Sequence, residues 1–208
     1  MKKFIGLIIS FIFLTGCSAI TEYNKALSDY EGSDRVGIAF DVSRDGIMSK
    51  MGPVRIYPET IGCIDLSSSK NGFLSGNIFG GGEVNSVGKK IGIPEVNGMA
   101  KDRVELWVSA KHNIAIRTIY TGQTGKTGYF SIKTAVAESV VTFKPEPGTF
   151  YYVTINFDKV DPITGKYMRV YKIIDDGAGR KSLKHVSDLK ISNCPGQHPW
   201  YQKSGAVM

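Results

Sequence analysis

The sequence predicts an all-β fold, an antiparallel β-sandwich, and three observations support that prediction. Segments rich in β-branched and aromatic residues alternate apolar with polar positions. Turn-forming residues separate these segments at intervals of roughly 8–12 residues, as in sandwiches and barrels. No stretch after residue 33 carries a convincing helical stripe of apolar residues. Strands and helices do not alternate along the chain, so a parallel nucleotide-binding sheet is not expected.

We interpret residues 34–194 as a single domain in which the expected strands follow one another. The first alternating run is Val36, Ile38 and Phe40. Further strands are expected at 54–57, 104–109, 114–119, 129–136, 139–144, 150–158 and 167–175, with turns at 122–125, 146–148 and 161–165. Residues 181–193 fit either a last strand or a short helix from Ser187. The expected body has two sheets, like an immunoglobulin or transthyretin domain, with a partly open barrel as the alternative.

The remaining segments are less regular. Residues 17–33 are polar and mixed, and we interpret them as a tether. Residues 72–98 are rich in glycine and poor in large side chains, which indicates a long loop that is mobile rather than packed. Residues 195–208 form an irregular tail that contains Trp200 and Tyr201. These two aromatic residues either pack against the body or contact a partner protein, because Trp and Tyr are common interface anchors.

The first seventeen residues have the layout of a secretory signal. A basic start, Met1-Lys2-Lys3, precedes an apolar run at 4–14 that is too short to span a bilayer. The run ends at Leu14-Thr15-Gly16-Cys17, which resembles the lipobox of bacterial lipoproteins. The resemblance implies removal of signal peptide 1–16, a palmitate-type lipid on Cys17 and, because Ser18 follows, transfer to the outer membrane. An ordinary signal peptide cut elsewhere, or a membrane anchor helix, is the alternative.

Cys63 and Cys194 remain after lipidation of Cys17. An exported body enters an oxidising compartment, where paired thiols usually become a disulfide bond. The bridge would close a loop of roughly 130 residues, for which the chain-entropy model gives about 4–5 kcal/mol. Two buried free thiols are the alternative.

Catalytic, metal and nucleotide motifs are weak. The run 122–127 contains Gly-Lys-Thr but lacks the preceding glycine and the following helix of a phosphate-binding loop. His112, His185 and His198 have no helical metal-ligand spacing, and no Gly-x-Ser-x-Gly elbow is present. The sequence therefore predicts no enzyme, no metal, no cofactor and no nucleotide or nucleic-acid partner.

The sequence thus predicts an outer-membrane lipoprotein, held by the lipid on Cys17, with its body in the periplasm. The expected role is non-catalytic: binding, scaffolding or envelope assembly, with an envelope protein or cell-wall glycan as partner. A hydrolase of envelope glycan or peptide, or an inhibitor of such a hydrolase, is the alternative. The formal net charge of +7 loses two units with Lys2 and Lys3, and such a mild excess identifies no partner.

Overall fold

The computed structural model describes residues 25–43, 54–74, 89–126, 132–155 and 160–199, with only the backbone for 119–126 and 132–137. Within these ranges the chain forms nine strands and no helix, and therefore no helix that could cross a membrane. The strands are β1 (Arg35–Asp41), β2 (Val54–Thr60), β3 (Gly72–Phe73), β4 (Arg103–Ser109), β5 (Asn113–Lys126), β6 (Ile132–Phe143), β7 (Phe150–Ile155), β8 (Met168–Asp175) and β9 (Lys181–His185).

The nine strands form two sheets that pack as a sandwich and do not close into a barrel. One sheet has five strands in the order β4-β1-β7-β8-β9, and the other has four in the order β3-β2-β5-β6. The pairings between these strands are antiparallel except for β1 with β7, which is parallel. The predicted all-β sandwich is therefore confirmed.

The main core lies between the sheets and is built by alternate residues of the strands, as the period of two predicts. The rings of Phe143 in one sheet and Tyr151 in the other lie 4.9 Å apart and connect the two layers. Fully burying an aliphatic or aromatic side chain contributes about 1.5–3 kcal/mol, so this stripe dominates the favourable free energy of folding. Its other fully buried members include Val36, Ile38, Phe40, Val54, Ile56, Val104, Ile114, Ile116 and Val153.

Strands β5 and β6 are longer than the sequence predicts. The expected turn at 122–125 lies inside β5, and the expected break between 136 and 139 lies inside a continuous β6. Both predictions are wrong. A register shift between Gln123 and Gly125 accommodates the extra residue as a bulge, so the ladder continues through the glycines.

An N-terminal segment, residues 25–30, closes one open side of the sandwich. Phe73 in β3 donates its N–H to the Lys25 carbonyl and accepts the Leu27 N–H, at 2.9 and 2.8 Å. Three residues later Tyr30 donates its N–H to the Trp107 carbonyl in β4, at 2.9 Å. The segment therefore joins the edge strands of both sheets, although the sequence places these residues in the tether.

The chain after β9 first extends the ladder with β8 and then crosses to the edge of β6 in the other sheet. Val186 donates its N–H to the Val170 carbonyl in β8, and Leu189 donates its N–H to the Thr142 carbonyl in β6, at 3.0 and 2.7 Å. Residues 181–185 are a strand and residues 186–193 are irregular, so the strand alternative holds for the first part of 181–193.

The outer face of the five-stranded sheet is covered by part of the segment that the sequence interprets as a mobile loop. Ile93 and Val96 are buried in a second cluster with Ala39, Tyr152 and Ile173. The expectation of a poorly packed loop does not hold for residues 72–74, where Gly72 and Phe73 form β3 and Phe73 and Leu74 are buried. It does not hold for residues 89–98 either. The chain between 75 and 88 lies outside the described residues.

Candidate functional site

A groove of about 240 Å³ opens between the N-terminal segment and the two sheets, and we call it the N-terminal groove. Residues 25–30 form one wall, and the end of β2, residues 69–70 and the edge of β4 form the others. Its lining residues are Lys25, Ala26, Leu27, Ser28, Asp29, Tyr30, Pro58, Glu59, Ser69, Lys70, Trp107, Val108 and Ser109.

Gly72 fixes the position of the wall that the N-terminal segment forms. A Cβ atom at Gly72 would lie 2.6 Å from both the backbone N and the Cα of Leu27. Only glycine permits this approach, which lets the Leu27 side chain pack against the main core. The sequence shows Gly72 only as the first of several glycines, so its role was not predictable.

Some polar groups that line the groove form hydrogen bonds and ion pairs that hold the N-terminal segment in place. One carboxylate oxygen of Asp29 accepts the backbone N–H of Trp107 at 2.9 Å, and the other lies 2.6 Å from Lys89 Nζ. The Tyr30 hydroxyl donates to Asp34 at 2.8 Å, and this hydrogen bond is the main reason that the pKa of Tyr30 is raised. Tyr30 therefore stays a neutral donor at physiological pH.

Trp107 gives the groove a rigid aromatic element. The Arg35 guanidinium carbon lies 4.2 Å from the centre of the Trp107 rings, and the Phe150 ring lies 5.9 Å away. At the rim, the side chains of Glu59 and Lys70 belong to exposed residues of opposite charge. This mixture of fixed aromatic, hydroxyl and charged groups suits polar and stacking contacts with a ligand.

A second group of ionisable side chains surrounds Asp161 in the turn between β7 and β8. Its Oδ1 accepts the N–H groups of Ile163 and Thr164 at 2.8 and 2.9 Å. Its Oδ2 lies 3.2 Å from Arg169 Nε and 3.0 Å from His185 Nε2. Burial raises the pKa of Asp161, but the two hydrogen bonds and the neighbouring His185 and Arg169 side chains outweigh it and leave the pKa lowered. The charged carboxylate therefore joins β8 and β9 to the turn.

Glu105 in β4 holds the segment that covers the five-stranded sheet. Its carboxylate is 1% exposed and accepts the N–H groups of Ile91 and Ile93 at 2.8 and 3.3 Å. The Arg103 guanidinium lies 3.6 Å away and balances the charge. The irregular segment thus obtains from one side chain the hydrogen bonds that a neighbouring strand would otherwise supply.

The aromatic run in β7 is core rather than an exposed face for sugar stacking. Tyr151 and Tyr152 are 1% and 2% exposed although they point to opposite faces of the sheet. Burial is the largest cause that raises the pKa of Tyr152, whose hydroxyl accepts the Ala100 N–H at 3.1 Å. The segment at residues 89–98 packs on the outer face of the sheet, so both faces of β7 are buried. The sequence does not predict this packing.

Cys63 and Cys194 form the predicted disulfide bond, with their Cα atoms 4.9 Å apart. Ile64 donates its N–H to the Ser192 carbonyl, and Cys194 donates its N–H to the Ile64 carbonyl. Gln197 accepts the Leu66 N–H at 2.7 Å, so the chain is held for three residues beyond the bridge. Within residues 61–66 only isolated bridges form.

The other predicted site residues stand as follows. Cys17, Trp200 and Tyr201 lie outside the described ranges, so lipidation and partner contact remain predictions. His112 is partly exposed and His198 is exposed. In the described part of the chain, no three His, Cys, Asp or Glu side chains are grouped in a way that could hold a metal ion.

The N-terminal groove was not predictable, because its walls come from four parts of the chain that are widely separated in sequence. The contact between Asp161 and His185 was not predictable either, because the two residues lie in a turn and in the last strand. No family model matches the chain, and comparisons with curated proteins and with solved structures find no similar chain.

Proposed function

We propose that this protein is an outer-membrane lipoprotein whose periplasmic β-sandwich binds another envelope protein in the N-terminal groove, without catalysing a reaction. One observation carries the proposal: the groove wall is the segment that leads from Cys17 into the sandwich. A chain advances at most about 3.6 Å per residue, so Lys25 lies within roughly 30 Å of the lipidated residue. The groove therefore opens near the membrane surface, where an envelope component is within reach.

The buried ionisable groups form structural hydrogen bonds and ion pairs, which supports a binding role over a catalytic one. Glu105 accepts hydrogen bonds from a covering segment, and Asp161 accepts them from its own turn. Arg117 in β5 contacts Asn193, in the irregular chain after β9, at 2.5 Å. These contacts hold irregular segments on the sheets, which is the work of a rigid scaffold that presents a surface.

A hydrolase is the second candidate function, because Asp161 lies 3.0 Å from His185 Nε2. A carboxylate beside an imidazole is a pair of groups from which a general base can be built. Purified lipoprotein incubated with cell-wall glycan and with envelope peptides tests this candidate. Product formation that is lost in His185→Ala would favour a hydrolase and count against the scaffold.

Site-specific photo-crosslinking in the native envelope tests the binding proposal. A photoreactive amino acid replaces Ser69 or Ser109, which line the groove, and Lys144, which is exposed and does not line it, is the control position. We expect a discrete adduct from both serine positions and none from Lys144. Protease sensitivity identifies a protein partner, and sensitivity to a glycan-degrading enzyme identifies cell-wall glycan instead.

The outcome that contradicts the proposal is equally specific. Equal crosslinking from Ser69, Ser109 and Lys144 would mean that the groove has no preferred partner. An adduct from Lys144 alone would place the binding surface elsewhere. Because all three positions are compared in the same lipidated, membrane-bound protein, differences in anchoring do not confuse the result.

A further inference from the structure

We propose that the outer edge of β9 binds an extended, acidic segment of a partner protein by strand addition. This surface is separate from the N-terminal groove, and the inference does not depend on what the groove binds. In strand addition, backbone hydrogen bonds supply affinity and alternate side chains supply specificity.

The starting observation is a contrast between β9 and the other three terminal strands. The N-terminal segment pairs with β3 and contacts the edge of β4 through the Trp107 carbonyl. The chain at Leu189 contacts the edge of β6. β9 ends the five-stranded sheet, and within the described ranges only β8 pairs with it. An edge strand without such a cover is a template for another strand.

The hydrogen-bond pattern shows which backbone groups of β9 face outward. Val186 donates its N–H to Val170 in β8, and bonding toward a neighbour alternates along an antiparallel strand. Ser182 therefore turns its backbone groups toward β8, and so does Lys184. The other three residues of the strand, Lys181, Leu183 and His185, offer their N–H and C=O groups to a new neighbour.

The charge of this edge selects the partner. Between residues 180 and 190 lie Arg180, Lys181, Lys184 and Lys190, with Asp188 as the single acid. Arg180 and Lys181 are paired with Asp176 and Asp175 at 3.0 and 3.5 Å, so in the described part of the chain Lys184 and Lys190 supply the charge that is offered to a partner. Asp188 is already paired with Lys166 at 2.6 Å. Lysines on an edge oppose pairing with a basic strand, including β9 of a second copy, because like charges then face each other. Acidic residues on the added strand convert that repulsion into attraction.

Side-chain packing adds an apolar requirement at one position. Leu183 is partly buried against the cluster that covers the outer face of the sheet. Gly98 lies beside it: a Cβ atom there would be 3.7 Å from Leu183 Cδ1. A partner residue opposite Leu183 shares this face, so an apolar side chain fits there. The edge is therefore suited to a segment that alternates acidic and apolar residues.

Fluorescence anisotropy of the full lipidated protein in detergent tests the proposal. The probe is a labelled peptide that alternates glutamate with valine, and its matched control carries glutamine in place of glutamate. We expect saturable binding of the acidic peptide, weakened about tenfold for the glutamine peptide and reduced by added salt. A third peptide, methylated on alternate backbone nitrogens, should not bind, because its edge cannot complete the ladder.

Two variants at one position separate the backbone from the side chain. Leu183→Pro removes an outward N–H without removing a bond to β8, whereas Leu183→Ala removes only packing. We expect peptide binding to be lost in the proline variant and kept in the alanine variant. Thermal melting shows whether each variant folds, and the methylated peptide tests the same bonds if the proline variant does not.

Three results would overturn the inference. Equal binding of the glutamate and glutamine peptides would show that charge does not select the partner. Binding of the methylated peptide would exclude strand addition as the mode of binding, because this peptide cannot complete the backbone ladder. Sedimentation that shows a dimer, abolished by Leu183→Pro, would assign this edge to a second copy of the chain.

Discussion

Replacing Gly72 with alanine tests whether the N-terminal segment is an integral part of the sandwich. The new Cβ atom would lie 2.6 Å from the N and Cα of Leu27 and 2.8 Å from its Cβ. Two of these three contacts are with the backbone, so no change of side-chain rotamer relieves them. We therefore expect the segment to move away from β3 and the N-terminal groove to lose its wall.

The expected cost follows from the contacts that this movement breaks. Two hydrogen bonds join Phe73 to Lys25 and Leu27, and each contributes about 0.5–1.5 kcal/mol net. Leu27 also loses its packing against the main core, and burial of a leucine is worth about 1.5–3 kcal/mol when complete. We expect Gly72→Ala to lower the free energy of unfolding by about 3–5 kcal/mol.

Urea denaturation measures the loss, and amide hydrogen exchange at Leu27 and Phe73 locates it. Gly37→Ala is the matched control, because the three atoms nearest its Cβ all belong to side chains: two Phe150 ring carbons, the nearer at 2.7 Å, and Ile91 Cδ1 at 3.2 Å. These side chains can shift without moving the backbone, so the control should cost less than Gly72→Ala, about 1–3 kcal/mol. Equal losses in both variants, or unchanged protection of the Leu27 amide, would refute the reasoning.

Three other predictions concern the anchor, the bridge and the response to acid. Cys17→Ala should leave an uncleaved precursor that takes up no labelled fatty acid; normal processing would contradict the lipobox assignment. Cys63→Ala with Cys194→Ala should lower the free energy of unfolding by about 4–5 kcal/mol in urea titrations, and an unchanged midpoint would contradict it. The pKa of Asp161 in the folded protein lies below its ordinary value of 3.8. The charged carboxylate therefore adds to the free energy of unfolding above pH 3.8, and this contribution is lost as the pH falls through the lowered pKa of the folded state. Urea midpoints should therefore fall more steeply below pH 3.8 in the native protein than in Asp161→Asn, and parallel curves would exclude this role.

The sequence predicts the strands well where large apolar side chains recur at every second position. Val36, Ile38 and Phe40 form a period of two that only a sheet satisfies, and they are fully buried. The prediction fails at 122–125, because the turn preference of these glycines is local and pairing with β6 overrides it. The ladder with β6 supplies hydrogen bonds that no local pattern displays.

The binding surfaces were less predictable than the strands, because they depend on contacts between distant parts of the chain. The N-terminal groove joins residues near 27 to others near 107. The contact between Asp161 and His185 joins a turn to the last strand. Neither pair has a fixed spacing, so no pattern in one sequence identifies it.

Buried charges within strands carry information that the alternation pattern alone misreads. A polar residue at every second position normally indicates a face in water, yet Arg103, Glu105 and Arg117 are 5%, 1% and 6% exposed. Burying a charge is costly unless it is paired or hydrogen-bonded. An irregular segment that packs on a sheet brings unpaired backbone N–H groups, and Glu105 accepts two of them. A buried charged side chain in a strand that accepts such N–H groups therefore indicates where a covering segment packs on the sheet. In this sandwich Glu105 is that side chain, and the segment it holds buries the outer face of the five-stranded sheet.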